Sequence, residues 1–118
     1  MNKILVVDDD LDILSLVHMI LSMNNFIVET VSRWEEIDSK ILDFKPDLVL
    51  LDVMLGGADG RDICRNLHSD KETRNLPVVL FSANPEMRKY TKGCDAKAFI
   101  AKPFEISTLL KTIKENVN

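Results

Sequence analysis

Cysteine is scarce in this chain. Cys64 and Cys94 stand 30 positions apart with no metal-ligand spacing around them, so neither a disulfide framework nor a zinc site is expected, and both are read as free thiols of a cytoplasmic protein. Basic residues are outnumbered: 15 Lys and Arg against 19 Asp and Glu give a net charge of -4. No Lys/Arg run is present to neutralise several phosphates, which argues against direct contact with nucleic acid. Long apolar runs are missing too, none approaching the roughly 20 residues that span a bilayer. Met1-Asn2-Lys3 leads straight into an apolar strand with no secretory signal pattern, so no membrane contact is expected. Four glycines and four prolines are spread thinly, leaving no linker and no low-complexity tract. The first strand is followed by acids where a Gly-x-Gly-x-x-Gly would stand, which counts against a dinucleotide-binding fold.

What remains is an ordinary globular composition, 46% hydrophobic and 29% charged over 118 residues, read as a single domain spanning 1–118 with no output domain. The chain alternates in period. Lys3 to Val7 reads as a strand, and Leu11 to Met23 as a helix with Leu14, Val17, Ile20 and Leu21 inward. Phe26 to Val31 is a second strand; Ser32 with Glu35 and Glu36 then opens a second helix in capping-box fashion, with Ile37, Ile41 and Leu42 inward and Trp34 as a partly exposed anchor. Pro46 resets the chain into Asp47-Leu48-Val49-Leu50-Leu51-Asp52, an aliphatic run between turn signals that reads as a central strand buried on both faces. The Gly-rich turn Gly56 to Gly60 follows, and Asp59 caps a third helix ending near His68. Val78 to Ser82 is the fourth strand. Pro85 begins a short, thinly apolar helical segment to about Lys92, Ala98 to Ala101 is the fifth strand, and Glu105 to Val117 is the last helix, with Ile106, Leu109, Leu110 and Ile113 on one face. Five strand-helix repeats require a parallel sheet covered on both faces, a three-layer α/β sandwich.

In such a sheet every strand ends at the same edge, where ligands bind. That edge receives Asp8 and Asp9, Asp52, Ser82 and Lys102. An isolated Asp52 has a plain reading as a turn or cap residue, but a cluster of three carboxylates costs free energy unless a cation or a proton compensates. Oxygen ligands of this kind suit Mg²⁺, which takes one or two carboxylates and keeps water and phosphate oxygens. Lys102 and Ser82 could then serve two further oxygens of a phosphoryl group, with Asp52 as its nucleophilic acceptor.

Val6-Val7-Asp8-Asp9, Leu50-Leu51-Asp52-Val53-Met54-Leu55, Ala58-Asp59-Gly60, Phe81-Ser82-Ala83 and Lys102-Pro103-Phe104 resemble, in that order, the motifs of the receiver domain of two-component response regulators. The resemblance covers essentially the entire chain. It implies a five-stranded sheet of order 2-1-3-4-5 (flavodoxin-like) and a switch, not an enzyme, that catalyses only its own Mg²⁺-dependent phosphorylation and dephosphorylation. By position, it implies that Asp52 is the phosphoacceptor and that Asp8, Asp9, Asp52 and the Met54 backbone carbonyl hold Mg²⁺. Ser82 falls at the switch hydroxyl, Lys102 at the phosphate-binding lysine, and Phe99 at the aromatic that swings inward, although Phe99 also reads as plain core. Met54 and Asn84 fall where the family tunes loss of the phosphoryl group, and Lys102-Pro103 at a peptide bond that is often cis. The donor it implies is a histidine kinase or histidine phosphotransfer protein, the readout a surface around the fourth and fifth strand-helix units; the protein target stays open. Monomer is the default, with phosphorylation-dependent dimerisation as an alternative.

Two departures stand out. Gly56-Gly57-Ala58 replaces the family's Pro-Gly-Met-like turn, which is expected to loosen the loop after Asp52; Asp95 stands where a glycine is usual before the fifth strand, with Gly93-Cys94 as another alignment. A phosphatase of the haloacid dehalogenase type expects Asp-x-Asp as its nucleophile motif at the end of the first strand and a substrate-covering cap domain; here that strand ends Asp8-Asp9-Asp10, and 118 residues are read as leaving no room for a cap. A pseudo-receiver binding partners without phosphate remains an alternative, although no chemical residue is lost. Whether the chain acts alone or within a longer regulator or hybrid kinase is left open by the sequence.

Overall fold

A computed structural model describes residues 1–117, built around a five-stranded parallel sheet. Its strands are β1 (Lys3–Val7), β2 (Ile27–Val31), β3 (Leu48–Asp52), β4 (Val78–Ser82) and β5 (Ala98–Ala101), in the spatial order β2-β1-β3-β4-β5. The helices are α1 (Leu11–Ser22), α2 (Ile37–Phe44), α3 (Gly60–Ser69) and α4 (Ile106–Asn116). This is the flavodoxin-like arrangement expected.

The strands are aliphatic because both faces are covered. In β3 every residue from Leu48 to Asp52 is buried, with Leu48 to Leu51 wholly inaccessible. Alternate side chains feed two cores. Ile4, Val6, Leu50 and Phe81 meet Val17 and Leu21 of α1 and Leu109 and Ile113 of α4 on one face. Leu5, Val7, Leu51 and Leu80 meet Ile37 and Ile41 of α2 and Cys64 and Leu67 of α3 on the other. The result is the three-layer sandwich, and the register pairs Val7 with Leu51 and Asp52 with Phe81, which brings the carboxyl ends of β1, β3 and β4 level.

Local chemistry sets the helix limits. Asp10 caps α1, its carboxylate accepting from the Asp12 and Ile13 amides, and Asp59 caps α3 by accepting from the Arg61 amide. Lys45 closes α2 in the left-handed region (φ 53) before Pro46 resets the chain. Asp95 adopts φ 63 before β5, so it does fill a glycine-like turn position, an arrangement that Asp tolerates better than most residues. Cys64 and Cys94 are both buried free thiols, with Cys64 Sγ 3.1 Å from the Cys94 carbonyl oxygen.

Several expectations need correction. The capping box at Ser32 is not formed: Trp34–Glu36 is a 3-10 turn closed by the Glu36 amide on the Arg33 carbonyl, and α2 starts only at Ile37 without a side-chain cap. Leu42 is exposed, not inward, because it lies about 100° around the helix from Ile41. Ile106 is exposed as the first residue of α4, and Leu110 is half-buried. The segment after β4 is a 3-10 helix, Pro85–Tyr90, shorter than expected and with no buried residue. After Asp52, Met54–Leu55 pairs antiparallel with Ala58–Asp59, and Gly57 makes the reversal at φ 87.

Candidate functional site

β1 ends at Val7, and the next two residues are the acids. Asp8 is wholly buried, and its carboxylate accepts from the Asp10 amide at 2.9 Å. Asp9 points outward, with Oδ2 3.1 Å from the Gly56 amide that donates to it. Asp52, the last residue of β3, is 5% exposed and accepts from the Met54 amide at 3.1 Å. One carboxylate oxygen from each of the three lies within 4.8 Å of the others.

β5 leads to Lys102, whose ammonium reaches back over the Phe81 ring, 4.3 Å from its centroid. It donates to Asp8 Oδ2 at 2.6 Å and lies 3.4 Å from Asp52 Oδ2. The Lys102-Pro103 peptide is cis. Ser82 is wholly buried at the end of β4; its hydroxyl oxygen accepts from the Asn84 amide at 3.1 Å, and its carbonyl accepts from the Lys102 amide at 2.9 Å. Residues 94 positions apart thus meet in one small pocket. Phe99 lies one layer away, nearly buried in the core of the α2 and α3 face, with the Arg88 guanidinium 5.0 Å from its ring centroid.

The acids fit a hard, oxygen-seeking cation: they offer carboxylate oxygens only, and the exposed Asp9 leaves the cluster open to solvent and to a phosphate oxygen. The cluster is also electrostatically strained. Burial first, then the neighbouring Asp8 carboxylate, raise the Asp52 carboxyl from its ordinary 3.8 to about 6, against the opposing pull of Lys102 and the Met54 amide. The folded protein therefore holds a proton on Asp52 that the unfolded chain releases earlier, so this group favours folding more at low pH. Its contribution is lost as pH rises from about 4 through about 6, a change of about 3 kcal/mol at most. In the absence of divalent cations, the stability of the wild type relative to Asp52→Asn is expected to fall across that interval and to level off above it. Urea unfolding of both proteins from pH 4 to pH 8 checks this; a constant difference would contradict it.

One positioning residue was not singled out by sequence reasoning. Gly60 opens α3 and donates its amide to the Val53 carbonyl at 2.7 Å. A side-chain carbon at Gly60 would lie 2.9 Å from Val53 Cα and nearer still to the Asp52 carbonyl oxygen. The Ala58-Asp59-Gly60 motif was legible as a helix start, but not as the contact that fixes the backbone of Asp52. Next to it Asp59 and Arg61 form a two-point ion pair that holds the Asp59 carboxyl below its usual range, while the Arg61 guanidinium stacks 4.3 Å from the Tyr90 ring centroid.

A family model described as the response regulator receiver domain matches residues 4–114. The phosphate regulon transcriptional regulatory protein PhoB of Rhizobium meliloti is 32% identical over 114 residues, covering 95% of this chain and 50% of that protein. The chain spans about half the length of the curated relatives it matches. Among solved structures, the BeF3-activated N-terminal receiver domain of Klebsiella pneumoniae RstA superposes with a TM-score of 0.87 at 30% identity, covering 98% of this chain and 97% of that one. The Vibrio cholerae chemotaxis protein CheY4 superposes with a TM-score of 0.90 at 26% identity over 99% of both chains.

Proposed function

Since the chain belongs to the response regulator receiver domain family, a family of two-component signalling switches phosphorylated on aspartate, we propose that Asp52 is its phosphoacceptor and that the pocket around it is the working site. The observation that carries this reading is the convergence of Asp8, Asp9 and Asp52 within 4.8 Å, with the Lys102 ammonium bridging two of them.

The donor is the phosphoimidazole of a histidine kinase or a histidine phosphotransfer protein. An Asp52 carboxylate oxygen attacks phosphorus, the P–N bond breaks, and its electron pair leaves on the imidazole nitrogen. The Met54 amide on Asp52 Oδ1 fixes the rotation of the carboxylate and turns Oδ2 toward the Lys102 ammonium, 3.4 Å away, as the oxygen that attacks once Lys102 shifts. Mg²⁺ held by Asp8, Asp9, Asp52 and the Met54 carbonyl would neutralise charge on the transferring group. Lys102 moves its ammonium from Asp8 and Asp52 to one phosphoryl oxygen, and the Ser82 hydroxyl donates to another. Each of these movements pulls on its own strand end: Ser82 on the Asn84-capped 3-10 helix, Lys102 on β5 next to Phe99. Attack of water on phosphorus returns the carboxylate and inorganic phosphate.

Among the described residues no helix is long and apolar enough to cross a membrane. The relatives named as transcriptional regulators are about twice as long as this chain, so the reading of no direct nucleic-acid contact concerns these residues, and any output of a longer protein is a separate proposal.

Incubation with acetyl phosphate followed by intact-mass measurement tests the reading. The expected result is a gain of one phosphoryl group that requires Mg²⁺. No gain under any condition would move the chain to the pseudo-receiver reading. Lys102→Ala is expected to retain labelling, more slowly, while losing the accompanying change in amide exchange around Phe99; an unaltered exchange response would remove Lys102 from the switch.

A further inference from the structure

The 3-10 helix Pro85–Tyr90 buries none of its residues, so the core does not settle where it stands. Asn84 caps it, its side chain accepting from the Glu86 amide at 3.0 Å, and Met87 leans half-buried on the α2 and α3 face. The far end is held by Tyr90, whose ring centroid lies 4.3 Å from the Arg61 guanidinium carbon. Lys89 Nζ is 5.4 Å from the same centroid, but it belongs to the segment and moves with it. Arg61 belongs to α3 and is itself fixed. Its Nε and Nη2 grip both carboxylate oxygens of Asp59, and Asp59 in turn caps α3 and pairs with Met54 across the hairpin after Asp52. Between this frame and the segment lies a cavity of about 260 Å³, whose lining includes Met54, Asp59, Arg61, Asn84 and Met87. The segment thus stands off the Asp52 hairpin across open space, and Arg61 crosses from the frame to its far end.

We propose that Arg61 is a positioning residue of the switch, a restraint that holds the Pro85–Tyr90 segment in its resting place until Asp52 is phosphorylated. This inference rests on the reading of Asp52 as the phosphoacceptor and of Ser82 as a donor to the phosphoryl group. Ser82 Oγ accepts from the Asn84 amide at 3.1 Å in the resting pocket. A hydroxyl drawn toward a phosphoryl oxygen therefore draws Asn84, and the helix it caps, toward the cavity. Arg61 cannot follow, because a two-point bond to a carboxylate fixes a planar guanidinium in direction as well as distance. Tyr90 must slide off it, so the contact weighs on the resting side of the equilibrium only. A cation–π contact at an exposed site shifts such an equilibrium about two- to fivefold. Uptake requires the moved arrangement, and its rate scales with the fraction of molecules that already hold it.

The test compares wild type, Arg61→Ala, Tyr90→Leu, Tyr90→Phe and the Arg61→Ala/Tyr90→Leu double variant by three measurements: the rate of phosphoryl uptake from acetyl phosphate at saturating Mg²⁺, amide exchange over residues 85–92 before phosphorylation, and urea unfolding. Arg61→Ala and Tyr90→Leu are each expected to take up phosphoryl about two- to fivefold faster and to exchange faster in that segment, although neither gains stability in urea. Tyr90→Phe keeps the ring and should match wild type. The double variant should be no faster than either single variant, since both remove one contact. A merely structural role for Arg61 predicts the opposite sign, slower uptake in a less stable protein. Uptake by Arg61→Ala that is slower, or within about 1.5-fold of wild type, would overturn the proposal, as would rate gains that multiply in the double variant. In those outcomes labelling confined to Asp52 leaves the phosphoacceptor reading standing. A wild type that gains no phosphoryl group sinks that reading instead, while the exchange comparison still tests the restraint. If Arg61→Ala does not fold because Asp59 loses its partner, Tyr90→Leu and Tyr90→Phe, on a segment with no buried residue, decide the question between them.

Discussion

Asp52→Asn is expected to take up no phosphoryl group from acetyl phosphate at any Mg²⁺ concentration, and in EDTA to unfold at higher urea than the wild type. The two outcomes have separate causes. Uptake fails because an amide oxygen is a poor nucleophile toward phosphorus and the acyl phosphate needs a carboxylate. Stability rises because the buried Asp52 carboxylate sits beside Asp8, and replacing it with a neutral isostere removes both the desolvation and the repulsion. The gain should be about 1–3 kcal/mol near neutral pH, less whatever the 3.4 Å approach of Lys102 now returns. Intact mass and urea unfolding on the same preparation read both effects. Labelling at the wild-type level would place the phosphoacceptor elsewhere, and a loss of stability would mean that the Lys102 attraction outweighs the repulsion.

The second large effect is at Gly60. An added methyl group cannot be accommodated by a side chain moving aside, because what it meets is the backbone of Asp52 and Val53. Gly60→Ala must therefore shift the start of α3 away from the end of β3 and give up the 2.7 Å bond from the Gly60 amide to the Val53 carbonyl. Overpacking together with the lost hydrogen bond should cost about 3–5 kcal/mol, a large share of the stability of a domain of this size. The surviving folded protein should label slowly, since the shift acts on the carboxylate-bearing residue itself. Urea unfolding and labelling rate are the measurements; a stability loss below about 1 kcal/mol would show that α3 slides without resistance.

Much of this was legible along the chain, and the reason is burial. Strands covered on both faces must be apolar throughout, so the polar residue that ends each one marks where the chain leaves the core, and Asp8, Asp52, Ser82 and Lys102 could be read as meeting at one edge. Helix faces were readable where the whole helix packs, as Leu14, Val17 and Leu21 do. They were misread at helix starts, since the 3-10 turn at Trp34 and the exposed first residue of α4 depend on where the chain enters from the sheet, and at the border of a face, where Leu42 is exposed and Leu110 half-buried. The close approach of Gly60 to the Asp52 and Val53 backbone left no trace in periodicity. A glycine there looks the same in sequence as one that merely allows a turn.

The bridge from Lys102 to Asp8 and Asp52 has a consequence for how the site is filled. The resting pocket already contains a positive charge of its own, tethered at the end of β5 and tucked against two of the three acids. On the proposed reading, loading the site would exchange one cation for another: an incoming ion would compete with a group whose effective concentration is fixed by the chain, and its observed affinity would be lower than the acids alone would give. The displaced ammonium would then be available to a phosphoryl oxygen, so that occupation of the acids and commitment of the lysine would be coupled through one electrostatic well.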